Sequence, residues 1–320
     1  MLRVFDWRDV NLVRVLSGQG VCLDAEIGLT QGYHPLHSAL RAYLMPRGRQ
    51  APALVWRADT PSGEKGHPAI VGQVRLCAGN EPARLLFIAP HLTTPPGNLT
   101  TSGWLCLLEQ MAIQAGNYGA QNLIAEVEEN SAEGEALRAA GFVIYARQRL
   151  WWLDSSHHLS GDAHPAIYLR PMRDADVIGI QALYANVVPR LVQQVEPPPA
   201  AIERGYVLES GGEIVAFINL RCGPQGILIQ PLLHPEVYDL SAAILQALLA
   251  SLMPERKKLY LCARRYQDWS SEVVAAAGFK PLSTQTVMVK RLAVVAVEPR
   301  RQPLPVMNGR AATSLTSTRC

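Results

Sequence analysis

The sequence predicts an α/β protein, of the mixed α+β-sheet kind, made from two tandem copies of one domain, and three paired observations carry that expectation. Residues 130–153 (NSAEGEALRAAGFVIYARQRLWWL) and 267–292 (QDWSSEVVAAAGFKPLSTQTVMVKRL) each read as a short Ala-rich helix closing on Ala-Ala-Gly-Phe, followed at once by β-branched, alternating sequence. Gly141 and Gly278 fall where a helix ends on a left-handed residue, and Phe142 and Phe279 open the next strand. Residues 2–16 and 168–183 share a second plan: a short strand, an Asp-rich start and an amphipathic helix. Asp6 or Asp9 caps the first of these helices, and Asp174 or Asp176 the second. The third pairing is between strand pairs, 53–58 with 70–76 and 205–209 with 214–220. The Ser-Gly-Gly between the latter two is a hairpin signal.

Composition bounds the partners. The 320 residues carry a formal net charge of +3, with 48% hydrophobic and 18% charged residues. Such a chain buries a full core and shows no basic clustering of the kind a nucleic acid or an acidic membrane selects. Charges at Arg3, Asp6, Arg8 and Asp9 argue against reading the first ten residues as a signal peptide. The most apolar run, 240–253, falls short of the roughly 20 residues that span a bilayer. Six cysteines without a CxxC pair fit reduced thiols. The expected setting is cytoplasmic, with no nucleic-acid or membrane partner.

Each half then runs strand, helix, helix, three antiparallel strands, helix, strand, helix, strand. In the first half, within 17–50, residues 28–33 read as a Gly-rich loop and 36–45 as a helix stopped by Pro46. The second half is shorter here and is broken by Glu-Pro-Pro-Pro at 196–199. Buried strands follow at 84–90 and 226–233, then helices at 102–115 and 240–252, then strands at 122–127 and 258–263. Residues 1–153 form the first domain, 154–166 a polar linker, 167–294 the second domain and 295–320 a disordered tail.

This order, with its two Gly-Phe exits, resembles the GNAT superfamily of acyl-CoA-dependent N-acyltransferases, used in tandem from Leu2 to about Ala293. The resemblance implies a fourth strand splayed from the fifth, whose free backbone groups hold the pantetheine arm and stabilise the oxyanion. In the first half these are Ile88 and Ala89. It implies a glycine-rich phosphate loop at a helix start; that loop falls on Asn98, Thr100, Thr101, Ser102 and Gly103 (NLTTSG, 98–103). Asn98 replaces the family's Arg/Gln, and Thr101 its first glycine. A plainer reading makes the hydroxyl residues helix caps. Asn130 matches the family's Asn before the Gly-Phe, while Leu137 stands where the family often has a Tyr general acid. In the second half Ser241 and Ala243 replace the glycines, Asp239 opposes a pyrophosphate, Val274 replaces the Tyr and Gln267 the Asn. That half is expected to be structural.

The implied co-substrate is acetyl-CoA or another acyl-CoA, bound in the first half. The implied acceptor is a small-molecule or peptide amine, with His91 or water as proton acceptor. His91 and His234 follow the central strands, where surface placement is the plainer reading. Glu126, Glu128 and Glu129 leave the fifth strand, and one of them facing the amine is weighed against simple solvation. Tyr33, His34 and His37 line an acceptor pocket or pack on the second half. His34, His37, His157, His158 and His164 lack ligand spacing, so no metal is expected. Trp151 and Trp152, on opposite strand faces, read as an interface between halves. The rival class is a binding or scaffolding module that keeps the fold without turnover. A monomer with the halves as a pseudo-dimer, or a weak homodimer, fits either class.

Overall fold

In the computed structural model the described residues are 1–44, 52–58, 69–76, 81–92, 98–154, 167–198, 204–252, 257–267 and 269–292, the side chains of 98–100 excepted. The expected linker beyond Asp154, the tail beyond Leu292 and the linker histidines lie outside them. The first half runs β1 (Leu2–Val4), α1 (Val10–Ser17), β2 (Val21–Cys22), α2 (Ala25–Thr30), α3 (Pro35–Leu44), β3 (Ala53–Arg57), β4 (Ala69–Arg75), β5 (Ala83–Ala89), α4 (Asn98–Asn117), β6 (Asn122–Glu128), α5 (Ala132–Ala139) and β7 (Val143–Leu153). The second runs β8 (Arg170–Pro171), α6 (Val177–Val187), α7 (Arg190–Gln193), β9 (Arg204–Ser210), β10 (Glu213–Cys222), β11 (Gly226–Leu233), α8 (Ser241–Leu252), β12 (Lys258–Arg264), α9 (Ser270–Ala276) and β13 (Lys280–Arg291).

The repeated helix exits have one cause. Gly141 and Gly278 take φ of 85° and 89°, and the amides of Phe142 and Phe279 then reach back to the carbonyls of Leu137 and Val274. The repeated starts share a device as well. Asp9 and Asp176 accept from the backbone three residues earlier and from a strand arginine, Arg3 at 2.7 Å and Arg170 at 2.7 Å. Asp9 and Asp176 are therefore the reciprocating members of the two caps.

All the described strands join one sheet, ordered β1-β3-β4-β5-β6-β13-β7-β12-β11-β10-β9-β8, with β2 paired to β5. The central order is the feature that the linear reading missed. β13, from the second half, pairs with β6 of the first, and β7 pairs with β12 of the second. The two long exchanged strands also pair with each other. Each half's last strand therefore completes the other half. Trp151 and Leu153 are buried in the second half's core beside Ile227 and Leu261, and Met288 in the first half's beside Leu123 and Ala125. The expected Trp pair does lie at the junction: Trp151 enters the second core, and Trp152 lies half-buried under Lys280.

Helices cover both faces. α4 and α5 share a core with the first half's strands, and α8 and α9 with the second's. On the other face α1 and α3 cover β3 and β4, while α6 and α7 pack over the exchanged strands and the neighbouring β10 and β11. The expected loop at 28–33 begins inside a helix, since α2 runs to Thr30. This helix, α2, lies against the β10–β11 hairpin, where the backbone N–H of Gln225 donates to the Thr30 carbonyl at 2.9 Å. Of the insertion weighed from sequence, Tyr33 packs on Phe87 and the helix α3 on β3 and β4, all in the first half.

Candidate functional site

Two gaps between parallel strands decide what the molecule can hold. In the first half β5 and β6 pair only at Ala83–Leu123 and Arg84–Ile124 and then part. Residues 19–23 fill the space that opens. Val21 pairs with Ile88 and Cys22 with Phe87. The Leu23 amide donates to the Leu86 carbonyl and the Glu126 amide to the Leu23 carbonyl, both at 2.9 Å. The His91 amide donates to the Gln19 carbonyl at 2.7 Å. The chain thus lays its own strand between β5 and β6, hydrogen-bonded to both. Gly20 permits the fit, because a Cβ there would lie 2.0 Å from the Phe87 ring.

This arrangement places the residues of the expected first-half site. The backbone of Ile88 is spent on Val21, and Ala89 pairs with Val71 of β4. His91 is exposed, and its Nδ1 lies 3.1 Å from the Gln19 carbonyl, which makes Nδ1 the protonated nitrogen. It holds the inserted segment at Gln19. The segment 98–103 is no loop, since α4 already begins at Asn98. The side chains of Asn98 and Thr100 lie outside the described residues. Thr101 is half-buried and Ser102 exposed in the second turn. Gly103 is buried against the sheet, where a Cβ would come 2.4 Å from Ile70 and 2.6 Å from Trp56. Its missing side chain serves close helix–sheet packing and leaves no need for a phosphate to explain it. Asn130 is exposed at φ 65°, a left-handed turn position that asparagine tolerates. Leu137 and Val274 are both fully buried, so neither half offers a tyrosine there. Among the described first-half residues, the backbones of Ile88 and Ala89 are already paired and Gly103 is packed against the sheet.

The second-half gap is different. β11 and β12 pair from Gly226–Lys258 to Ile229–Leu261 and diverge beyond. Here the Gln267 side chain reaches across, donating Nε2 to the Pro231 carbonyl at 2.8 Å. A cleft of about 720 Å³ opens beside this gap, between α2 and α6 and across the middle of the sheet. That volume lies within the range of small-molecule sites.

The cleft is polar and electrically paired. Arg84 meets Glu126 at 3.2 Å, Arg75 meets Asp24 at 3.0 Å, and Arg264 meets Glu196 at 2.6 Å. Glu126 also accepts from the Ala25 amide at 2.8 Å, which ties α2 to the sheet. Burial pushes the Glu126 carboxyl up despite Arg84. Burial also acts to raise Glu196, but Arg264, Arg84 and the Tyr145 hydroxyl together hold it below the usual carboxylate range. Burial lifts the Cys262 thiol and the Tyr266 hydroxyl to about 12 each. Cys262 also donates its thiol to Gln148 Oε1 at 3.4 Å.

Of the residues weighed from sequence, Glu126 and Gln267 line this cleft, while His91 and Asn130 do not. Arg84, Arg264, Glu196 and Asn219 went unnoticed. Their signal was there: Arg84 and Asn219 interrupt apolar strands, and Glu196 precedes a proline run. Among the described residues no group of three or more His, Cys, Asp or Glu could hold a metal. No described helix is long and apolar enough to cross a membrane.

An open mixed sheet with splayed parallel strands in each half is the fold of the GCN5-related N-acetyltransferases, used twice. A GCN5-related N-acetyltransferase from Sphaerobacter thermophilus is similar over 91% of this chain and 95% of its own, at 12% identity and a TM-score of 0.54. A Drosophila protein is similar over 91% and 98%, at 11% identity and a TM-score of 0.51. A tandem GNAT protein from the clavulanic acid biosynthesis pathway is similar over 91% and 98%, at 15% identity and a TM-score of 0.47. At such identities the likeness concerns the fold. No protein-family model matches the sequence, and no curated protein matches it.

Proposed function

We propose that this chain is a small-molecule-binding protein on a tandem acetyltransferase scaffold, with the central cleft as its ligand site and no acyl-CoA site in the first half. The observation that carries the reading is the strand at 19–23, which bonds to both β5 and β6 and occupies the gap pantetheine would need. The two absent tyrosines and the packing role of Gly103 point the same way.

A second reading has its own observation. β11 and β12 still part beyond Ile229 and Leu261, with a side chain and not a strand reaching between them. That favours transfer from acetyl-CoA, or another acyl-CoA, to an amine at the second half. Against it stands Asp239, exposed ahead of α8, where a pyrophosphate would meet a like charge.

Calorimetric titration of the full chain with acetyl-CoA, coupled to an assay for released thiol over a set of amines, separates the two. The expected outcome is no binding heat, no thiol release and no thermal shift at millimolar acetyl-CoA. A ligand at about 100 times its Kd would add about 2.7 kcal/mol of stability. Binding that Gln267→Trp abolishes moves the reading to second-half acyl transfer. Binding that Gly103→Trp abolishes restores the first-half site.

A further inference from the structure

We propose that the central cleft takes a neutral, hydroxyl-rich ligand, a free sugar or polyol; this rests on the cleft being the ligand site. The charged groups that open onto it stand in pairs. Arg84 meets Glu126 at 3.2 Å, Arg264 meets Glu196 at 2.6 Å, and Arg221 faces Glu26 at 3.8 Å. The three arginine side chains keep from 13% (Arg264) to 36% (Arg221) of their surface exposed, and Glu26 and Glu196 keep 24% and 19%. A ligand can therefore touch both members of a pair.

Charge narrows the class. Two more charged residues line the cleft: Arg75, matched by Asp24 at 3.0 Å, and Glu81, which is exposed. Five carboxylates thus face four guanidinium groups, Asp24 included. The sum lies within one charge of zero whether or not Glu126 keeps its proton. An anion finds each of these guanidinium groups already beside a carboxylate. A cation finds Glu26, Glu126 and Glu196 already beside arginines, and Glu81 screened by water. A hydroxyl differs from both, because one atom donates and accepts. It accepts from the guanidinium and donates to the carboxylate of the same pair.

The floor fits the same class. Asn219 and Gln230 stand opposite each other on β10 and β11, bonded amide to amide at 3.0 Å, with Gln230 half-buried. Phe217 and Leu232 are the next opposite pair on that face, and half-buried Tyr184 and Tyr266 pack against them. Neighbouring strands lie about 4.8 Å apart, and alternate residues of one strand about 6.6 Å. Amides and rings therefore follow one another at roughly the width of a sugar ring, with hydroxyls on the amides and ring carbons on the aromatic side.

The test is a calorimetric and thermal-shift screen of the full chain with glucose, galactose, ribose, sucrose and myo-inositol. Glucose and galactose are run beside their 6-phosphates and 2-amino analogues, and acetyl-CoA is run alone. At least one neutral compound is expected to bind, charged analogues at least about tenfold more weakly, and the neutral affinity should change less than about twofold with salt. Gln230→Glu, close in size, adds a carboxylate to the floor and should raise amino-sugar affinity at least about tenfold. Gln230→Trp, which fills the cleft, should abolish binding; Gln230→Glu and the analogue series carry the test should that variant fail to fold. A charged analogue binding as tightly as its neutral parent, or tighter, overturns the hydroxyl assignment. The cleft then still stands as the ligand site where either Gln230 variant alters that binding. Sugar binding indifferent to both variants, or no binding by any probe, overturns both readings. Binding of acetyl-CoA and of no sugar overturns them in favour of acyl transfer.

Discussion

Asn130 and Gln267 occupy corresponding places in the two halves, and their amides do different things. Asn130 sits in a left-handed turn and is exposed, whereas Gln267 is 3% exposed and bridges the second-half gap. Leu137 and Val274 are likewise corresponding residues, here with the same role: each fills the core under a helix that ends in Gly-Phe. Tyrosine in either place would overpack it. Leu137→Tyr and Val274→Tyr should each cost about 1–3 kcal/mol in chemical denaturation; a loss below about 0.5 kcal/mol would mean the slot is open. Titration at the cleft is signed by its pairs. Glu196 lies below its unfolded value, so its contribution to stability is full above about pH 4.5 and is lost as pH falls through the lower folded value. Asp176, held down mainly by hydrogen bonds from Arg170, behaves the same way. Glu126 lies above its unfolded value, so its contribution is full below about pH 4.5 and is lost as pH rises through the higher folded value. Urea midpoints between about pH 3 and 6 should therefore show an acid limb that Glu196→Gln flattens; an unchanged limb would remove Glu196 from that role.

At the scale of elements, the long strands β7 and β13 matter most, because each pairs chiefly across the junction. β7 meets β12 over six residue pairs, and β13 meets β6 over seven. A half on its own would expose a strand edge and leave its core without Trp151 or Met288. Chains cut within residues 155–166 should therefore fail to fold separately and regain cooperative unfolding and native circular dichroism when refolded together. Two halves that each melt cooperatively alone would contradict the exchange. The element order was readable from the sequence because turn chemistry and helix periodicity are local. Gly141, Gly278 and the Asp caps announce themselves within a few residues. The exchange was not readable, since β7 and β13 have the same alternation whichever partner they meet. The inserted strand at 19–23 escaped for a related reason: with only Val21 and Cys22 in ladder geometry, it is too short to show a period of two.

For the whole molecule, the repeat creates the cleft. Two fused halves bring Arg84 and Glu126 from one, and Glu196 and Arg264 from the other, to a shared space at the middle of the sheet. Arg84 and Glu196 leave a local mark in the sequence, but only the join between halves brings them together with Glu126 and Arg264. The family resemblance therefore located the sheet and its two gaps, but it pointed to the gap that the chain fills for itself. Amide hydrogen exchange on the full chain, with and without millimolar acetyl-CoA, tests that directly. The amides of Leu23, His91 and Glu126 should exchange among the slowest in the protein and at rates that acetyl-CoA leaves unchanged. Fast exchange at these three amides, or a change confined to them when acetyl-CoA is added, would show that the strand leaves the gap and that the first half still binds the cofactor.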